Sequence, residues 1–184
     1  MDPQLAGQMI LSNDSVVNVA ALLREEIGAT RTYRFTFSRF RLDEDLDAVG
    51  LTGTVRLTRV SDAILASIKG TTRVELECQR CLNAFTLPVS LDFDEQFRIA
   101  YDLRSGSAIE SQLEDIDERP EIAESHELDF SEPVRQEIIL GFPMRPVCGP
   151  DCPGPPAFDN DVDDDGIDGQ FGALASLLGP SDDQ

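Results

Sequence analysis

The sequence predicts an α+β fold: an antiparallel sheet of about four to six strands with one N-terminal and one C-terminal helix packed on it. Three observations carry that expectation. Four consecutive runs between residues 31 and 99 alternate apolar and polar residues with a period of two. The links between those runs are short, which favours antiparallel pairing. One stretch before the runs and one after them carry apolar residues at helical spacing, each ending at a glycine.

Residues 1–15 show no period and no order is expected of them. In the first helical stretch, Val19, Leu22, Leu23 and Ile27 fall on one face. Asn18 can cap its start and Gly28 can supply a left-handed stop. In the first strand run, Tyr33, Phe35 and Phe37 alternate with Thr32, Arg34 and Thr36. Aromatic and β-branched residues at period two mean a half-buried strand. Val49, Leu51, Gly53, Val55 and Leu57 alternate with threonines and Arg56 in the second run. The third runs from Ile64 to Leu76, with Gly70 as a candidate bulge or bend. Its far end places Val74, Leu76 and Cys78 inward and Arg73, Glu75 and Glu77 outward. The fourth puts Phe85, Leu87, Val89, Leu91, Phe93, Phe97 and Ile99 on one face.

Residues 102–127 read as a solvated acidic loop, rich in Glu and Asp around Ser105-Gly-Ser-Ala. Order resumes at Leu128-Asp-Phe130. Ser131 can cap a second helix with Pro133 in its first turn, and Glu132 favours the helix dipole there. Val134, Ile138 and Ile139 form its stripe, with Leu140 and Phe142 near the end; Gly141 and Pro143 stop it. The expected organisation is one domain over residues 15–155, followed by an acidic, mostly disordered tail over 156–184. Within that tail Phe171-Gly-Ala-Leu-Ala-Ser-Leu-Leu178 is an apolar octet that could dock as a helical turn.

Net charge is −20 over 184 residues, and it is unevenly spread. Residues 1–100 hold 14 acids and 11 bases, a net of −3; residues 101–184 hold 21 acids and 4 bases, a net of −17. Such a field repels a phosphate backbone, so basic proteins are the natural partners, with solubility alone as the plain alternative. The opening residues lack a basic region followed by an apolar run, so no secretory signal is expected. No stretch approaches the ~20 apolar residues of a membrane span. The expectation is a cytoplasmic protein with reduced cysteines.

All four cysteines come as two close pairs, Cys78-Gln-Arg-Cys81 and Cys148-Gly-Pro-Asp-Cys152. Zinc takes four thiolates in a tetrahedron, and each short turn can supply two of them. The bland alternatives are four free, partly buried thiols, or a disulfide in an oxidising compartment.

The set Val17-Asn-Val-Ala-Ala-Leu-Leu-Arg, Gly28-Ala-Thr-Arg-Thr-Tyr and Leu76-Glu-Cys-Gln-Arg-Cys-Leu-Asn-Ala-Phe85 resembles the bacterial large ribosomal RNA subunit accumulation proteins, the YceD family. So does Glu127-Leu-Asp-Phe-Ser-Glu-Pro-Val-Arg-Gln-Glu-Ile-Ile-Leu with Pro143-Met-Arg-Pro-Val-Cys148. The resemblance covers roughly residues 15–155, with an echo at 170–178. It implies a non-enzymatic factor supporting 23S rRNA accumulation and large-subunit biogenesis; with the acidic second half, the expected partners are ribosomal proteins or assembly factors, with rRNA as the alternative. It also matches Cys78 and Cys81 to the family's first cysteine pair, and Cys148 and Cys152 to the C-terminal cysteines of part of the family. Many relatives continue with a further cysteine-rich stretch; this chain reads Pro153-Gly-Pro-Pro-Ala-Phe158 instead, which leaves one four-cysteine site at most.

Other constellations are weaker. Arg31, Arg34, Arg39 and Arg41, interleaved with aromatics, could contact rRNA directly, as bases stack on aromatic rings and phosphates pair with guanidinium groups; the same aromatics look like core. Glu95 shares a parity with Phe93 and Phe97, and a carboxylate buried there needs a partner, unless the strand reaches the sheet rim or a bulge shifts the register. Asp161-Val-Asp-Asp-Asp165-Gly166 opens like a calcium loop, but Gly172 stands where the bidentate Glu belongs. His126, the only histidine, reads as a surface residue. No phosphate-binding loop, nucleophile elbow or paired catalytic carboxylate appears.

Overall fold

A computed structural model describes residues 9–99 and 119–155. The 102–118 part of the acidic loop, the calcium-like stretch and the apolar octet lie outside the described residues. The elements are β1 (Met9–Ser12), β2 (Val16–Asn18), a 3-10 turn (Leu22–Arg24), β3 (Thr30–Asp43), β4 (Leu46–Arg59), β5 (Ala63–Glu77), β6 (Ala84–Ile99), β7 (Glu121–Ile122), β8 (Glu127–Asp129) and α1 (Ser131–Leu140).

The four alternating runs are long antiparallel strands, β3 to β6, in a meander. Two short strands extend it at the edges, giving the order β1-β3-β4-β5-β6-β7. Both edge pairings are parallel, β1 on β3 and β7 on β6, so the sheet is mixed rather than antiparallel throughout. β1 falls in the N-terminal stretch where no order was expected, and β7 in the predicted acidic loop. Two to four residues carry too little pattern to register; what holds them is the row of free hydrogen-bonding groups on a strand edge. β2 and β8 form a separate antiparallel pair, with Val17 opposite Leu128 and both buried.

The N-terminal helix is not formed. Residues 19–28 make only the 3-10 turn Leu22–Arg24. The Asn18 side chain accepts from the N–H of Ala20 at 3.1 Å, bending the chain as a cap would. Gly28 does adopt positive φ, +94°, and its N–H donates to the carbonyl of Arg59. Val19, Leu22 and Leu23 are buried, whereas Ile27 is 68% exposed. Three apolar anchors close together in sequence are satisfied by one tight turn, and so short a helix has little stability of its own.

The second run is also corrected in part. Ala48, Leu51, Val55 and Leu57 are buried and Val49 is exposed. Between Val49 and Thr52 the β4–β5 register shifts by one residue. Gly50, with φ +67°, sits in that bulge. The extra residue flips the parity, so Ala48 rather than Val49 turns inward. β3 changes face beside it, from Phe35 and Phe37 to Phe40 and Leu42. Gly70 is not at a bulge. It pairs with Gly53, which pairs with Phe35, and the Phe35 ring lies over both glycines.

α1 packs its Val134 and Ile138 on the inner face of the sheet. Ser131 does not cap it by side chain; the Asp129 carboxylate accepts from the Ser131 N–H at 2.9 Å instead. Phe130, just before the helix, reaches Phe35 with ring centroids 5.4 Å apart. The Arg135 guanidinium donates to the carbonyl of Leu42 at 3.1 Å, tying the helix to β3. The core is thus one aromatic-rich layer between sheet and helix, with Phe35, Phe37, Phe40, Phe97 and Phe130 inside it. Among the described residues no helix is long and apolar enough to cross a membrane.

Candidate metal centre

β5 ends at Glu77 and β6 begins at Ala84, and the six residues between form a tight knuckle. The N–H of Cys78 donates to the carbonyl of Asn83, and the N–H of Leu82 to that of Cys78, both at 2.9 Å. Leu82 takes φ +62°, which closes the turn. After α1 the chain runs from Pro143 back to this knuckle. The Gln79 N–H donates to the carbonyl of Pro146 at 2.9 Å, so the two loops are laced together through backbone. Gly149, at φ +136°, turns the second pair, and the N–H of Cys152 returns to the Gly149 carbonyl at 3.3 Å.

The result is one four-sulfur cluster. All four Sγ atoms lie within 4.8 Å of one another. Cys78 Sγ is 3.8 Å from Cys152 Sγ, and Cys81 Sγ is 3.8 Å from Cys148 Sγ. A zinc ion at ~2.3 Å from each of four sulfurs sets them about 3.8 Å apart at the corners of its tetrahedron. The sulfurs are too far apart for a disulfide, which needs about 2.05 Å, and all four cysteines are free thiols. Cys78 and Cys81 are buried, Cys152 is partly buried and Cys148 is exposed. The donor set and spacing therefore fit zinc or a similar thiophilic ion.

Backbone groups already serve one of the sulfurs. The N–H groups of Arg80 and Cys148 each point at Cys78 Sγ from 3.4 Å. Burial pushes the Cys78 thiol up, but N–H donors from Cys81, Arg80 and Cys148 outweigh it and bring it down to about 6. Cys148 is pushed up to about 12, first by its contact with Cys152, then by burial and by the sulfurs of Cys81 and Cys78. One thiolate is welcomed by backbone dipoles and further ones are resisted by sulfur crowding. A shared dication removes that resistance.

The other predicted site residues do not gather into one place. Arg34, Arg39 and Arg41 are exposed on the outer face of β3. Arg31 belongs to the opposite parity, at the strand end, and pairs with Glu25 at 2.5 Å. Arg39 and Arg41 share Asp47, at 3.4 and 2.9 Å. Tyr33, Phe35 and Phe37 are buried in the core, so the aromatics interleaved with the arginines cannot stack bases. The outer face carries a different set, visible only once the strands are in register: Arg34 and Lys69 lie two strands apart in one cross-strand row, Arg56 in the next outer row on one side, and Arg73 on the other side beyond the Thr36–Thr52–Thr71 row, opposite Val49 and in line with Arg39. Glu95 is half-buried rather than buried. Its carboxylate accepts from the Gln96 N–H at 3.1 Å and lines a shallow cleft of about 260 Å³ with Asp129, Glu132, Pro133 and Gln136. His126 is half-buried at φ +63°, and its carbonyl accepts from Val19.

The family model for the large ribosomal RNA subunit accumulation protein YceD matches residues 66–178, a span that holds both cysteine pairs. Curated relatives include the uncharacterized proteins Mb2951c of Mycobacterium bovis and Rv2926c of Mycobacterium tuberculosis. Each is 29% identical over 136 residues, covering 70% of this chain and 62% of the relative. The chain thus aligns with less than two thirds of those relatives' length. No solved structure matches it significantly.

Proposed function

The chain belongs to the large ribosomal RNA subunit accumulation protein family, YceD, and on that premise we propose that it is a non-enzymatic factor for 23S rRNA accumulation, acting in the cytoplasm through protein partners, its working end stapled by zinc on Cys78, Cys81, Cys148 and Cys152. The single observation that supports the staple is the convergence of four sulfurs from segments some seventy residues apart. Bound there, zinc supplies charge neutralisation and a cross-link between hairpin tip and helix exit. It is structural by this reading, since four protein ligands leave no open position for substrate.

The bias towards protein partners rests on charge. The acidic surplus of residues 101–184 attracts basic chains such as ribosomal proteins and repels RNA. The test is affinity purification of the full chain from a bacterium that carries it. Ribosomal proteins or assembly factors should co-purify, and loss of the gene should lower 23S relative to 16S rRNA. If a variant lacking residues 102–125 and 156–184 retains the same partners, the acidic half is not what holds them.

One observation favours direct rRNA contact as a second reading. Arg34, Arg56 and Arg73 stand exposed on the outer sheet face without an ion pair among the described residues, beside Lys69, which is paired to Asp92. Such a face contacts phosphates rather than bases, since it carries no aromatic ring. It predicts salt-sensitive binding to 23S fragments, reduced by Arg34→Glu with Arg56→Glu. Absence of binding at low salt removes this reading.

A further inference from the structure

The cysteine end carries a patch that the metal reading leaves unused. Leu82 is 58% exposed, Met144 fully exposed and Val147 43% exposed. Leu82 follows Cys81 and Val147 precedes Cys148, and the sulfurs of those two cysteines are 3.8 Å apart. The Gln79–Pro146 backbone bond places Arg80 and Arg145 beside the same apolar residues. Both arginines are exposed and neither makes an ion pair among the described residues. The one acid in the two loops is Asp151. In a chain of net charge −20, this is an apolar face with a cationic rim.

The chain also holds a segment of complementary chemistry. Six aspartates, Asp159, Asp161, Asp163, Asp164, Asp165 and Asp168, lead into Phe171-Gly-Ala-Leu-Ala-Ser-Leu-Leu178. Phe171, Leu174 and Leu178 recur at helical spacing. The family match extends across the acidic lead and ends at residue 178, the last residue of the octet. The described chain reaches residue 155 directly after the cysteine cluster, and fifteen residues, 156–170, separate it from Phe171. Fifteen residues of chain without secondary structure have, in general, a root-mean-square span of about 20 Å. A tether of that span holds its end at an effective concentration of order mM. A weak apolar contact is therefore sufficient for occupancy.

We infer that the octet Phe171–Leu178 docks intramolecularly on the Leu82, Met144 and Val147 face, with the aspartates before it against Arg80 and Arg145. The docking stands apart from the rRNA reading and needs only that the two loops be laced as described.

The test is methyl NMR on the full chain, as purified, labelled at methionine and leucine. Met144 is one of three methionines, so its signal is readily assigned by Met144→Leu. Replacing Leu174, Leu177 and Leu178 together by Ser should move the Met144 and Leu82 methyl signals by more than a linewidth and leave Leu51 in the core unmoved. Arg80→Glu with Arg145→Glu should move them the same way. In the unaltered chain the signals should not change over a tenfold dilution. Signals unmoved by the triple substitution overturn the docking. Signals that move on dilution overturn it also, because they assign the occupant to a second copy of the chain. The triple substitution leaves the sequence of both cysteine loops unchanged, so its outcome does not depend on the arginine variant folding.

Discussion

The backbone N–H of Cys148 points at the sulfur of Cys78 from 3.4 Å, although seventy residues separate them. The contact joins the two loops before any ion is considered. A backbone donor aimed at a thiolate fixes the sulfur's position and favours its charged form.

The first prediction concerns that cluster. The full chain purified without chelator should contain one zinc per molecule. Cys78→Ser should lose it, because no spare sulfur remains, and the melting temperature should fall by more than ~10 °C, as the staple between hairpin and helix exit is released. Elemental analysis and calorimetry read both. Full-length protein with no metal, and a serine variant of unchanged stability, would show that the thiols are only packed together.

Acid should release the metal. Zinc needs deprotonated thiolates, so protons compete with it at all four sulfurs. Metal-indicator titration should show retention at pH 7 and release as the pH falls below about 5. Retention down to pH 3 would point to a different ion or a different ligand set.

Gly53 should be intolerant of a side chain. A Cβ there would stand 2.5 Å from Phe35 Cζ and 2.9 Å from Gly70 Cα, with the Lys69 carbonyl closer still. Two of those neighbours are backbone and the third is a buried ring, so none yields cheaply. Gly53→Ala should cost roughly 2–4 kcal/mol by overpacking. Gly28→Ala, in open space, should show only the smaller cost of a positive φ. Denaturant unfolding of the two variants compares them directly.

Glu132 supplies a pH signature. Arg135 grips its carboxylate with two bonds of 2.8 and 2.7 Å, and the Gln136 amide adds a third at 2.9 Å. Those donors hold its carboxyl down to about 2. The folded value lies below the ordinary one, so the stabilisation is present above about pH 4.5 and is lost as pH falls towards 2. The pair is more than a third exposed, and solvent screening limits its worth to roughly 0.5–1 kcal/mol. Glu132→Gln should lower stability at pH 7 by about that amount, and the difference from the parent should vanish near pH 2. A pH-independent difference would assign the loss to packing.

The long strands were legible because β5 and β6 alternate over more than ten residues and β3 and β4 alternate on either side of their change of face, and the inner and outer faces of β6 follow the sequence pattern. The C-terminal helix was legible from Pro133, the Val134 and Ile138 pair and the stop at Gly141. The errors share a cause. The helix expected over 19–27 became a 3-10 turn, and Val49 turned outward, because packing against partners distant in sequence overrode a short local pattern. The edge strands β1 and β7 have no pattern of their own to read.

For the candidate site, spacing alone identified four thiols in two pairs and so determined which residues could act together. Whether they met was a tertiary matter. It required the β5–β6 turn and the exit of α1 to reach the same end of the sheet, a position set by the core beneath them and by the Gln79–Pro146 backbone bond. The arginines show the reverse. Their one-dimensional run with aromatics implied a stacking surface, and the sheet divided it, aromatics inward and most cations outward. Side chains at successive strand positions point to opposite faces, so neighbours in sequence become strangers in space, while residues two strands apart become one surface.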